Sequence, residues 1–264
     1  MANSGDYDAS AVRSPEDLRD HVAEGIFPAV GESVELPDEL DLRPWLPAVR
    51  NQGQTGTCAA HAAACMKEYQ ERRDVNFEGH LSPQFVYNLR SNRPRAGMHG
   101  RDVMRILHKH GIAYETAYPF GRSDAVPVAG ELMRDAEVFR IQEYAQVVTA
   151  AGLKEALVRS GPCYISFPVY NHTETFYLPR GEQKQDGGHA VAVVGFNAEG
   201  FLLRNSWGRW GRAGYATYRY EHFGAHWEIW TTIDRQGSKP PPAPPPPEDQ
   251  GRGCARFLRA LRRR

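Results

Sequence analysis

Asn51-Gln52-Gly53-Gln54-Thr55-Gly56-Thr57-Cys58-Ala59-Ala60-His61-Ala62-Ala63-Ala64-Cys65-Met66-Lys67-Glu68-Tyr69 is the most informative run in this chain of 264 residues. From Cys58 onward it strings together strong helix formers, with small or apolar residues at 59, 62, 63, 66 and 69, and so predicts a buried helix. Cys58 falls on the first turn of that helix. There the backbone N–H groups lack intrahelical partners and the helix dipole favours an anion. A thiolate is stabilised in such a place, and thiolates are the reactive form of cysteine. Cys65 lies two turns further along, amid alanines, and reads as core, as does Cys163 within a strand. His61 sits one turn after Cys58, so its side chain points beside the thiol rather than across a cleft.

Outward from this run, Ser82-Pro83 opens a second helix to about Leu89, and Arg101 to His110 a third, ended by Gly111. The second half changes period. After a short helix from Leu153 to Ser160, the segments 162–169, 190–196, 201–204, 215–220 and 226–233 read as strands separated by Gly and Asn turns. Helices followed by antiparallel strands give an α+β class with a cleft between the halves. His189 stands at the entrance of one strand, in Gly187-Gly188-His189-Ala190-Val191, and Asn205 stands at the end of the next, in Asn205-Ser206-Trp207-Gly208-Arg209-Trp210-Gly211. An imidazole held by a sheet, with an amide oxygen to orient it, supplies the base that a cysteine nucleophile needs.

Composition sets the bounds. The 41% hydrophobic and 24% charged residues are ordinary for a folded soluble protein, and the 32 basic side chains balance the 32 acidic ones, so no nucleic-acid binder is indicated. No apolar run reaches transmembrane length and no signal peptide of the usual form opens the chain, so the expected location is the cytoplasm by default, with export by a non-classical route left open. Four widely spaced cysteines without a Cys-x-x-Cys pair speak against a disulfide framework and structural zinc. His99, His108 and His110 form no ligand set, because the last two point to different helix faces. No metal or cofactor is expected.

The ends are oppositely charged. Residues 1–40 carry two basic and ten acidic side chains (2 − 10 = −8), whereas residues 238–264 carry seven basic and two acidic (7 − 2 = +5). Residues 1–35 read as an acidic arm containing one short helix from Ser14, its expected N-cap, to about His21. Seven prolines among residues 240–247 mark a semi-rigid spacer over 237–250, followed by an Arg-rich tail, 251–264. That tail is either a solvated end or a helix that docks on an anionic surface or acidic partner.

Gln52 six residues before Cys58, Gly-His-Ala-Val around His189, and the Asn-Ser-Trp-Gly-x-x-Trp-Gly run from Asn205 together resemble the three signature segments of the papain-like cysteine peptidases, in that family's order. Cys58 to His189 is 131 residues and Cys58 to Asn205 is 147, inside the family's usual spacing of about 130 to 150. The resemblance covers about residues 36–236. It implies a two-lobe fold, with a helical lobe over about 36–135, an antiparallel, β-barrel-like lobe over about 136–236, and the active site in the cleft between them.

By the same resemblance Cys58 is the nucleophile, His189 its base and acid, Asn205 the orienting amide, and Gln52 a donor to the oxyanion hole. Trp207 shields the His–Asn bond at the substrate groove, and Gly100 pairs its backbone with an extended substrate. The expected function is a cysteine endopeptidase acting as a monomer on proteins or peptides. Two alternatives use the same features: an acyl transferase or deamidase with the same thiol, and a catalytically silent module that binds peptides or partners. The family's usual Cys-Gly-Ser-Cys-Trp is here Thr55-Gly56-Thr57-Cys58-Ala59, so the disulfide cysteine before the nucleophile is missing and the following Trp is Ala, and the arm is shorter than the usual inhibitory propeptide.

Overall fold

The computed structural model describes residues 8–27, 34–121 and 128–234. The Pro-rich spacer and the basic tail lie outside the described residues. Helix α1 is a single turn, Ala23–Ile26, followed by the two-residue strand β1, Leu40–Asp41. The expected cysteine helix is α2, Cys58–Val75, ended by Asn76 in the left-handed conformation. Nearly all of α2 is buried, which is why its apolar residues run all round it rather than along one stripe. Its polar residues are paired inside: Lys67 with Glu71 at 2.8 Å, Glu68 with Arg50 and the Leu81 N–H, and Gln70 with Thr232 at 2.7 Å.

Helices α3, Pro83–Asn88, and α4, Gly100–Lys109, follow as read from the sequence, with Ser82 accepting from the Phe85 N–H as the N-cap of α3. Helix α5, Gly130–Ala136, and strand β2, Ile141–Gln146, carry weaker patterns that the sequence did not reveal. Then come α6, Ala150–Ser160, and strands β3, Cys163–Val169, β4, Gly187–Phe196, β5, Gly200–Arg204, β6, Tyr215–Arg219, and β7, Glu228–Asp234.

These strands form one antiparallel sheet in the order β2-β7-β3-β4-β5-β6, with β1 added on β4. The sheet is open, so the expected barrel-like closure is replaced by two edge strands, β2 and β6. Two hydrophobic clusters result. One joins α2 to α3 and α4 around Phe85, Met104 and Leu107, and the other lies against α6 and the sheet around Phe167, Phe176 and Trp207.

The arm departs from its expected form. No helix spans residues 14–21; Pro15 to Asp20 is irregular with a turn, and Ser14 caps a different helix, its Oγ accepting from the Arg101 N–H at the start of α4. Further on, the His21 carbonyl accepts from the Gln146 N–H on β2, so the arm pairs with an exposed sheet edge. Glu24 Oε1 accepts from the Val148 and Thr149 N–H groups and from Thr149 Oγ1, anchoring the arm at the start of α6. Ala23 and Phe27 are buried in the sheet-side cluster, and Asp20 pairs with Arg101.

Candidate active site

Cys58 opens α2 as expected, and the residues before it are held by the opposite side of the molecule. The Gln52 N–H donates to the Ser206 carbonyl at 2.7 Å, Asn51 bridges to Trp207, and the Gly208 N–H donates to the Arg50 carbonyl. Ser206 Oγ donates to Gln52 Oε1 at 2.6 Å. These bonds fix the amide of Gln52 with its Nε2 turned toward two carbonyls, those of Thr55 at 2.8 Å and Asp8 at 3.1 Å.

His189 sits in β4, paired opposite Phe167, and is wholly buried. Its Nε2 lies 2.7 Å from Asn205 Oδ1. An amide oxygen can only accept, so the proton is on Nε2 and Nδ1 carries the lone pair. Among the described residues Nδ1 has no hydrogen-bond partner. Trp207 stacks on the ring at 4.2 Å between centroids, and Phe176 meets it edge-on. Asn205 Oδ1 accepts a second bond from the Ser206 N–H, so the amide is fixed by its own turn. The Cys58 thiol has the Ala190 N–H aimed at it, which places the sulfur against the residue next to His189.

The sequence gives no warning of what lies in the cleft. Residues 9–12 of the arm run through it, extended, between the two halves. The Ala11 N–H donates to the Gly188 carbonyl at 2.7 Å, the Gly188 N–H to the Ala9 carbonyl at 3.1 Å, and the Val12 N–H to the Met98 carbonyl at 2.9 Å. Both bridges, Ser10 to Gly188 and Val12 to His99, are parallel. Bare backbone permits this approach: a Cβ on Gly187 would stand 2.0 Å from the Ala9 carbonyl oxygen, and one on Gly188 2.2 Å from that of Ala11. Gly97, with φ of 76°, is packed directly under Ser10.

Of the two residues expected at the groove, Gly100 does not meet the extended segment; its N–H donates to Glu228 Oε1 and its Cα faces Tyr164. Backbone pairing falls instead to Met98, two residues earlier. Trp207 is fully buried and stacks on the His189 ring. His61 bonds back to the Thr57 carbonyl and packs on Phe120, away from the thiol chemistry.

Under the arm, the pair is uncharged. Burial pushes the Cys58 thiol up to about 11 despite the Ala190, Ala59 and Ala11 N–H groups around it, and burial pulls His189 down to about 4 despite Asn205. The helix-terminus effect expected to favour a thiolate is outweighed by desolvation in this covered state.

The family model for the papain family cysteine proteases matches residues 36–230. Mouse cathepsin K is 29% identical over 196 residues, 69% of this chain and 59% of the relative, so the chain spans little more than half of that protein's length. An uncharacterised peptidase C1-like protein of Acanthamoeba polyphaga mimivirus is 26% identical over 234 residues, 78% of this chain and 72% of that one. Among solved structures, xylellain, a cysteine protease from Xylella fastidiosa, superposes with a TM-score of 0.75 at 25% identity, over 89% of this chain and 99% of that one. Procathepsin L 3 of Tenebrio molitor, at 20% identity and a TM-score of 0.63 over 87% of this chain and 76% of that one, shares the fold. With a cysteine at the start of a buried helix, a histidine and asparagine joined across neighbouring strands, and a family match over 36–230, this chain belongs to the papain family of cysteine proteases.

Proposed function

We propose that the chain is a cysteine endopeptidase in which Cys58, His189, Asn205 and Gln52 carry the chemistry. The observation that supports this most strongly is the proton placement on His189: Nε2–H donates to Asn205 Oδ1, so Nδ1 is left as an acceptor beside the strand residue that touches the thiol.

The Cys58 S–H proton passes to His189 Nδ1 as sulfur bonds to the scissile carbonyl carbon. Negative charge then develops on the carbonyl oxygen, and the Gln52 Nε2–H and Cys58 N–H stabilise it. Gln52 already donates to one main-chain carbonyl in the groove, that of Asp8, which supports this role. His189 returns its proton to the leaving amine as the C–N bond breaks, and water, deprotonated by His189, hydrolyses the thioester. Trp207 covers the imidazole face and keeps water from the bond to Asn205.

The substrate would be an extended peptide, because the cleft accepts an extended main chain between Gly188 and Met98. Because the arm fills that cleft, the test compares the full chain with one lacking residues 1–15, each with an epoxysuccinyl probe and a quenched peptide pool. Labelling confined to Cys58 and turnover lost in His189→Ala support the reading; an unreactive Cys58 in the opened chain overturns it.

A further inference from the structure

The end of α4 away from the cleft is basic. Arg105, His108 and Lys109 fall three and four residues apart, so they share one exposed face of the helix. With Arg140, Ile141 and Gln142 they line an open cavity of about 600 Å³, in which three side chains are cations and none is an acid. Nearby carboxylates offset this charge only in part. Glu137 pairs with Arg140 Nη2 at 2.9 Å, and Asp17 stands 4.0 Å from Arg105 Nη2 while bound to Arg19 at 2.7 Å. Among the described residues Lys109 forms no ion pair, and the buried Arg140 Nε has no hydrogen-bond partner. The neighbouring His110 registers the excess: burial lowers it, and Lys109 and Arg140 lower it further against the opposing pull of Glu137.

Strand β7 ends against the same wall. Asp234 pairs with Ile141, so the chain leaves the folded part beside the cavity. Residues 235–250 span at most about 50 Å at roughly 3.1 Å per extended residue. Beyond them, residues 251–264 hold six arginines together with Phe257, Leu258 and Leu261. A semi-rigid spacer holds the two basic features apart, which suits an extended sheet of negative charge better than one small anion. Apolar residues three and four apart among arginines suit a lipid interface rather than a nucleic-acid backbone. Tyr144, beside the cavity, is taken up in edge-to-face contacts with His108 and Trp230 and offers no face for base stacking.

We propose that this cavity and residues 251–264 together form a docking surface for an anionic membrane, the cavity taking a phospholipid phosphate and the segment lying along the interface. Each contact alone is weak and reversible. On one surface they reinforce each other, because the second binds at the effective concentration that the spacer sets. Helix α4 has ten residues, about 15 Å, and its other end adjoins Met98 at the cleft, so the membrane is held one helix length from the groove. The inference is independent of the chemistry at Cys58.

The full-length chain is sedimented with vesicles of phosphatidylcholine alone, or with about 30 mol% phosphatidylglycerol, at low salt and at about 1 M salt. The expected result is binding to the anionic vesicles only, lost at high salt. Arg105→Gln with Lys109→Gln weakens it about tenfold. Arg209→Gln with Arg219→Gln, the same charge change at the opposite edge of the sheet, leaves it unchanged. Deleting 251–264 weakens it about 10²-fold, as expected for the loss of one of two linked contacts. All four replaced side chains are exposed, and circular dichroism checks that each variant keeps its fold. The proposal is overturned if the full chain does not sediment with anionic vesicles, or if the Arg105/Lys109 variant binds them as well as the Arg209/Arg219 variant. It is also overturned if poly(U) RNA binds the chain more tightly, per phosphate, than the vesicles do, which would make the surface one for nucleic acid.

Discussion

Ser206 Oγ donates to Gln52 Oε1 at 2.6 Å, tying the loop before the cysteine helix to the loop after Asn205. Because that bond settles which end of the amide faces the groove, Ser206→Ala lets Gln52 rotate and, on the proposed mechanism, weakens its donation to the developing oxyanion. Turnover by the arm-deleted chain is expected to fall about tenfold in kcat with KM nearly unchanged, the scale of one buried hydrogen bond. Equal losses in kcat and a raised KM would point to a distorted groove instead.

Asn205→Ala removes the acceptor that holds the proton on His189 Nε2. The proton is then free to sit on Nδ1, where it blocks transfer from the thiol. A loss of about 10²-fold in kcat/KM is expected, within the range for general acid–base catalysis, whereas Cys65→Ala, two turns along α2, keeps most activity. Steady-state kinetics on the opened enzyme separate the two.

Stability depends on pH from both sides. Burial depresses His189 and His226 to about 4 and His61 to about 3, so as pH falls below 6.5 the unfolded chain takes up protons that the folded chain refuses. Stability is therefore full above 6.5 and is lost as pH falls toward 4, by at most about 1.4 kcal/mol per pH unit for each histidine. Burial raises Cys58 and Cys65 to about 11 and Cys163 to about 12 from 9.0, so stability also declines as pH rises above 9. Urea midpoints from pH 4 to 10 test this, and His226→Gln should flatten the acid limb by one histidine's share.

Phe27→Ala empties a buried site in the sheet-side cluster. The expected cost is about 3 kcal/mol, as for other buried aromatic truncations, read from chemical denaturation. A cost below about 1 kcal/mol would show that the anchor half of the arm is only laid on the surface.

The sequence by itself determined the cysteine helix, the opening of α3 at Ser82-Pro83, and the strands that carry His189 and Asn205, because each rests on local residue patterns of helix formers, a capping hydroxyl and β-branched runs. It also placed the four candidate residues for the chemistry. Only the tertiary structure decided which backbone pairs across the cleft, since Gly97, Met98 and Gly100 lie within four residues and differ only in what packs beneath them. Nor could a local pattern show that Ser14, read as the cap of its own helix, caps α4 instead, 87 residues away in sequence. The arm's path and the neutral state of Cys58 and His189 follow from that same long-range packing. Burial is a property of what covers a residue, and nothing within a few positions of Cys58 records the approach of Ala11.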